Sequence, residues 1–212
     1  MPIYKIITVS PNTKVYIWKI TESEKELSIN IELTNVCQLR MNGMKSELHR
    51  RGFLSIRHLL CLAGYTDSDL YYDQAGKPHL KDGNHISITH SYHFTGIIVS
   101  QKDEVGIDIE KQRHKIIRIG HKFTEVEAFK GIENAVELVK KLTIVWGAKE
   151  SLYKIYATHG LSFMNHIYIY DFKNTESATT GLIRYEGQTS YYDITFLEFE
   201  GFTCVYAIKK EE

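Results

Sequence analysis

The stretch that most constrains this chain is Val105-Gly106-Ile107-Asp108-Ile109-Glu110. After the glycine it alternates with the two-residue period of a strand, so Ile107 and Ile109 take one face and Asp108 and Glu110 the other. The apolar face is readily buried. The acidic face sets two repelling carboxyl groups side by side, and a fold that keeps them must offer a cation, a base or open water. A third acid, Glu150, lies in Trp146-Gly147-Ala148-Lys149-Glu150-Ser151-Leu152-Tyr153-Lys154. Helical periodicity there puts Trp146 one turn before Glu150 and Lys154 one turn after it, on the same side.

Each feature also has a plain structural explanation. Asp108 and Glu110 could form the solvent-facing side of a strand. Glu150 and Lys154, at i and i+4, could be an exposed helix-face ion pair contributing a few tenths of a kcal/mol. Taken together, three hard oxygen ligands without a His or Cys suit magnesium, which accepts few carboxylates and fills its shell with phosphate and water. Asp108, Glu110 and Glu150 are the expected metal ligands.

With 43% hydrophobic content over 212 residues, the chain can bury a sizeable core as one large domain or two small ones. Lys+Arg and Asp+Glu both number 26, so no global field recruits nucleic acid or an anionic membrane, and charge must act locally. Cys37, Cys61 and Cys204 form no CxxC pair, which fits buried thiols in a reducing cytoplasm. The start, Met1-Pro2-Ile3-Tyr4-Lys5, lacks the pattern of a secretion signal, and no segment is apolar for long enough to span a bilayer. A cytoplasmic protein without membrane or nucleic-acid partners is expected.

Strands are predicted over 3–9 and 14–20, joined by a turn at Pro11-Asn12-Thr13, with a capping box at Thr21-Glu22-Ser23-Glu24 opening a helix. Helical spacing runs from about Gly43 to Cys61, with Gly64 as the stop and Arg50 and Arg57 on one side. Polar residues from Tyr65 to Asn84 read as loops around a short extended piece at Lys77-Pro78-His79-Leu80. Strands follow at 85–89, 94–100 and 105–110. Helices are predicted at Glu125–Lys130 and Glu137–Ala157, and strands at 165–172, 181–185, 191–199 and 202–209. The order of a helix and then a run of strands occurs once before Gly106 and once after. This suggests an α+β chain, a pseudo-dimer of two similar α/β halves, residues 1–104 and 105–212, with the active site at the seam between them.

His90 closes a strand between the hydroxyls of Thr89 and Ser91, either as a structural histidine or as a ligand contact. Arg50 and Arg57 are surface charges or a phosphate clamp. The basic run Lys111, Arg113, His114, Lys115, Arg118, His121 and Lys122 is a solvated loop, a nucleic-acid patch or a docking surface for an acidic protein. Its lack of interleaved aromatics counts against single-stranded nucleic acid. No P-loop, GxSxG, HExxH or GxGxxG motif is present, so the common nucleotide and hydrolase scaffolds are unsupported.

Gly106-Ile107-Asp108-Ile109-Glu110 followed by Trp146-Gly147-Ala148-Lys149-Glu150-Ser151-Leu152-Tyr153-Lys154 resembles the paired signature of the 4'-phosphopantetheinyl transferase superfamily. Gly76-Lys77-Pro78, Ser87-Ile88-Thr89-His90-Ser91, Phe123-Thr124-Glu125-Val126-Glu127 and Phe53-Leu54-Ser55-Ile56-Arg57 match in the family's order, covering roughly residues 45 to 165. The length resembles the pseudo-dimeric, Sfp-type branch, which implies a monomer.

The resemblance implies a holo-[acyl-carrier-protein] synthase type of 4'-phosphopantetheinyl transferase. Such an enzyme moves the phosphopantetheine arm of coenzyme A, with Mg2+, to a serine of an apo acyl or peptidyl carrier protein and releases 3',5'-ADP. It assigns Asp108, Glu110 and Glu150 to magnesium, and Arg57, Lys77, Thr89, His90, Lys154, Arg50 and Lys45 to the cofactor. Glu150, Lys154 and His90 are the implied catalytic groups, and the run 111–122 is a fitting partner for the acidic helix of a carrier protein. Thr89 stands where the family usually has Ser, and the loop after Lys154 lacks the first of two usual glycines. An inactive homologue that binds carrier protein or coenzyme A, and a metal-dependent phosphodiester hydrolase, are the alternatives.

Overall fold

Strands β1 (Ile3–Ser10) and β2 (Thr13–Lys19) pair antiparallel across the turn at Pro11-Asn12, as their β-branched and aromatic content predicts. They belong to a computed structural model describing residues 3–125, 129, 131–173 and 175–211. The chain divides into two compact units, Met1–Lys102 and Asp103–Glu212. Among the described residues there are five α-helices and three sheets, an α+β architecture in which every strand pairing is antiparallel. None of these helices is long and apolar enough to cross a membrane.

In the first unit β1 and β2 join β5 (His85–Ser91) and β6 (Phe94–Ser100) in the order β1-β2-β6-β5. Helix α3 (Glu47–Leu62) packs on β2 and β6. It buries Leu54, Ile56, Leu59 and Leu60 against Tyr16, Trp18, Ile86 and Ile97, each large apolar side chain contributing ~1.5–3 kcal/mol. Ser55 Oγ and Thr95 Oγ1, 2.8 Å apart, satisfy each other inside this core. Helix α1 (Glu24–Ser28) starts two residues later than the sequence predicts. Ser23 Oγ accepts from Glu26 N, and Glu26 Oε2 accepts from Ser23 N at 2.8 Å, so the capping box is Ser23-Glu26 and not Thr21-Glu24.

Helix α2 (Asn35–Asn42) is absent from the sequence prediction because it buries no residue and carries no apolar stripe. Tertiary contacts set its N-terminus. The N–H and Oγ1 of Thr34, its N-cap, both donate to Asp67 Oδ2 at 2.8 and 2.9 Å. Asp67 in turn takes the Nε–H of Arg57 from α3 at 2.8 Å. The short extended piece at 78–80 is β4 (Pro78–Leu80), paired with β3 (Leu70–Tyr72), a strand hidden in the sequence by its polar surroundings.

The second unit holds β7 (Val105–Lys111), α4 (Lys115–Ile119), α5 (Ala135–Tyr156), β8 (Ile167–Ile169), β9 (Ala178–Tyr185), β10 (Gln188–Phe199) and β11 (Phe202–Lys209). Its sheet runs β7-β11-β10-β9-β8, and α5 lies on it, contacting β7 and β11 most extensively. Leu142, Val145, Ala148, Leu152 and Ile155 of α5 share a core with Ile183, Ile194, Val205 and Ala207. The basic run is not a solvated loop. Its middle is helix α4, whose Ile116, Ile117 and Ile119 pack on that core and leave the cations outside. Of the helix expected at Glu125–Lys130, and of the Phe123–Glu127 motif, residues 126–128 and 130 lie outside the described residues.

Two glycines set how closely α5 approaches the sheet. A Cβ on Gly106 would overlap the Ser151 carbonyl, and one on Gly147 would come 2.8 Å from Val205 Cγ2. Gly106→Ala should therefore destabilise the protein by about 1–3 kcal/mol, because the obstacle is helix backbone that cannot swing away, read as a lower urea midpoint at unchanged m value. Asp67→Ala leaves the buried Arg57 guanidinium without its counter-charge and removes the Thr34 acceptor, so a loss of about 3–5 kcal/mol in the same measurement is expected.

Candidate functional site

Asp108 sits in the middle of β7 where α5 crosses it, and it is only 6% exposed, so it is not part of a solvent-facing strand surface. The close approach at Gly106 and Gly147 brings the carboxyl group under the helix: the Cβ position of Gly147 lies 3.7 Å from Asp108 Oδ2. Ile107 and Ile109, on the opposite face of the strand, are buried as the alternation requires. Ser151 Oγ donates to Gly147 O (2.7 Å) and to Val205 O (3.1 Å), tying the same turn of α5 to β11.

Lys154 comes from the next turn of α5. Its Nζ donates to Asp108 Oδ1 and to the Ile107 carbonyl, both at 2.8 Å. The cation predicted to face Glu150 along the helix thus reaches across to the strand, where the buried Asp108 carboxylate is a stronger partner than the half-buried Glu150.

The three acids act on one another. Burial, then the charge of Asp108, raises the pKa of Glu150 to about 7; Lys154 opposes this and Glu110 adds to it. Glu110 is also raised, by burial first and by Asp108 second, against a hydrogen bond donated by the Trp146 side chain and the nearby charges of Arg113 and Lys154. Half-buried carboxyl groups whose pKa values are raised together mark a candidate functional site. Among the described residues no three His, Cys, Asp or Glu side chains converge closely enough to ligate a metal as they stand. The donor set still fits magnesium, since all its atoms are carboxylate oxygens and a divalent ion would relieve the repulsion that raises Glu110 and Glu150. Beside Glu110 a hollow of about 160 Å3 is lined by Lys111, Arg113, Lys115 and Trp146, with Ile116 and Ile119 of α4.

The other predicted residues lie in the first unit. Arg57 is 1% exposed. Besides its bond to Asp67, it donates Nη1 to Phe53 O and Nη2 to Cys37 Sγ, each at 3.2 Å, and its guanidinium lies 3.4 Å from the centre of the Phe53 ring. This differs from the phosphate clamp the sequence suggests: the cation holds α2 and α3 together through Asp67. Arg50 is likewise engaged, donating Nε to both Glu24 oxygens at 2.9 Å and Nη1 to Met44 O at 2.7 Å. Arg50 and Arg57 thus serve different partners, although they share a side of the helix.

His90 is exposed at the end of β5, with its ring edge-on to His49 at 5.8 Å and against Gly52 of α3. Thr89 is buried, Lys45 is exposed in the turn before α3, and Lys77 is half-buried at the start of the β3-β4 return. Sequence reading overlooked the Trp146 bond to Glu110 and the role of Lys149, whose ammonium is buried and donates to Phe163 O and Ile167 O, both at 2.6 Å. The available signal was its spacing: Lys149 falls four residues after Val145 and three before Leu152, inside the apolar stripe.

No curated protein matches the chain significantly. Residues 104–207 match the family model of the 4'-phosphopantetheinyl transferase superfamily, a span that contains the strand acids, the helix acid and Lys154. Through this second unit, with its glycine-seated helix and its Asp108, Glu110 and Glu150 carboxyl groups, the chain belongs to the 4'-phosphopantetheinyl transferase superfamily.

Proposed function

We propose that the protein is a magnesium-dependent 4'-phosphopantetheinyl transferase, carrying the arm of coenzyme A to a serine of an apo acyl or peptidyl carrier protein. The observation that carries this is the trio Asp108, Glu110 and Glu150: burial and the charge of Asp108 raise the pKa of Glu110 and Glu150, and Lys154 is bonded to Asp108. Asp108, Glu110 and Glu150 would hold Mg2+, which neutralises diphosphate charge when bound.

The reaction joins the carrier serine oxygen to the β-phosphorus of coenzyme A and breaks the bond to the bridging oxygen, which leaves on 3',5'-ADP. Glu150 is the proposed base that takes the serine proton, its carboxyl group being held ionised when Mg2+ is bound. Lys154 keeps an ammonium beside Asp108 and suits the group that steadies or protonates the departing oxygen. Lys45, Lys77 and His90, with the Thr89 hydroxyl behind, are the proposed cofactor contacts of the first unit. Arg57 supports that unit from within. The basic side chains of 111–122, arrayed around α4, are the proposed seat for an acidic carrier helix. A pseudo-dimeric monomer working in the cytoplasm completes the reading.

Mass spectrometry of an apo carrier protein incubated with the enzyme, coenzyme A and Mg2+ should show the gain of one phosphopantetheine arm. Asp108→Asn should slow this by on the order of 10²-fold or more while circular dichroism stays unchanged. No gain with any carrier would leave an inactive binding homologue, and nucleotide release without an acceptor would indicate a hydrolase.

Stability should also report the carboxyl trio. In the folded, metal-free protein Glu150 holds its proton to about pH 7, whereas in the unfolded chain it releases it near 4.5. Its stabilising contribution is therefore complete below pH 4.5 and is lost as pH rises to 7. In chelator, the melting temperature of Glu150→Gln relative to wild type should rise across that window and level off above it. Excess Mg2+ should shrink the wild-type loss.

A further inference from the structure

Lys149 is 4% exposed, and nothing in the proposed reaction uses it. A buried ammonium is costly unless its hydrogens are taken, and here two backbone carbonyls take them: Phe163 O in the loop after α5 and Ile167 O at the start of β8. Glu125 adds a favourable charge. The ammonium therefore pins the returning chain onto α5 at two points that bracket Met164, Asn165 and His166.

The pinned segment carries Phe163 into an aromatic group. Its ring centre lies 5.3 Å from that of Trp146 and 5.4 Å from that of Tyr153, while Phe123 meets Trp146 edge-on at 5.0 Å. Trp146 thus packs against two rings, and its indole donates to Glu110. A contiguous set of contacts runs from Lys149 through Phe163 and Trp146 to Glu110.

We propose that Lys149 is a positioning residue: by gripping the Phe163 and Ile167 carbonyls it presses Phe163 onto Trp146, and so fixes the indole that orients Glu110 toward the metal. The proposal rests on Glu110 being a metal ligand, as in the function proposed above. Supports that orient a metal ligand typically change metal affinity 10- to 100-fold when removed.

The chain has two tryptophans, Trp18 and Trp146, in separate units. Labelling both with 5-fluorotryptophan gives two fluorine resonances, assigned with Trp146→Phe; Trp18 then reports general unfolding and Trp146 reports the site. Lys149→Met should move the Trp146 resonance, leave that of Trp18 in place, and shift the Mg2+ midpoint followed at Trp146 upward by about 10-fold or more. In the transfer assay the half-saturating Mg2+ should rise in parallel, with KM for coenzyme A within about twofold of wild type.

An unmoved Trp146 resonance, or an unchanged Mg2+ midpoint, overturns the proposal, as does a wild-type Trp146 signal that ignores Mg2+. A wild-type protein that binds Mg2+ at this signal yet transfers nothing refutes the transferase reading and leaves the positioning role standing. If Lys149→Met does not fold, Phe163→Leu keeps the ammonium and both carbonyl bonds but removes the ring from Trp146. The same rise in Mg2+ midpoint then supports the proposal, and no rise overturns it.

Discussion

The site depends on one steric fact: α5 can lie against β7 and β11 only because Gly106 and Gly147 have no side chain where the helix meets those strands. That proximity buries Asp108 beneath the helix and lets Lys154 span from α5 to both the Asp108 carboxylate and the Ile107 carbonyl. A wider gap would leave Asp108 in water, where its charge would perturb Glu110 and Glu150 far less. The raised pKa values of those two groups follow from the packing of a helix on a strand.

Once the carboxyl groups are gathered, the unit must hold them against their own repulsion. Part of the offset is local, through Lys154 on Asp108 and the Trp146 indole and Arg113 near Glu110. Part is structural, because the helix carrying Glu150 is anchored through Leu142, Val145, Ala148 and Leu152 to the sheet, so the acids cannot separate without opening the core. Lys149 extends the anchoring to the loop beyond α5. A family match confined to residues 104–207 agrees with this division of labour, since those residues contain both the core and the charges it restrains.

The first unit shows how the same residue type can be structural. Arg57 and Arg50 are spaced as a phosphate clamp on α3, yet Asp67 and Glu24 claim them. Asp67 binds Arg57 and Thr34 together, so a side chain read as functional cements an eight-residue helix that has no apolar stripe of its own. Sequence spacing reports which side of a helix a cation occupies. It is silent on whether a carboxylate from a distant loop is waiting there.

Local periodicity alone determined that β7 alternates, that α3 and α5 are amphipathic, and that Asp108, Glu110, Glu150 and Lys154 fall on their polar sides, since side-chain direction follows from backbone geometry within a few residues. It also supplied most of the strands in their order along the chain, β3 excepted. Tertiary structure decided what each polar group meets: Lys154 joins Asp108 across elements, Arg57 is buried on Asp67, Lys149 binds two carbonyls, and the basic run winds into a helix docked by its isoleucines. Such pairings depend on the depth at which a charge is buried and on partners remote in the chain. Desolvation raises the strength of those interactions, and only the assembled fold sets its extent.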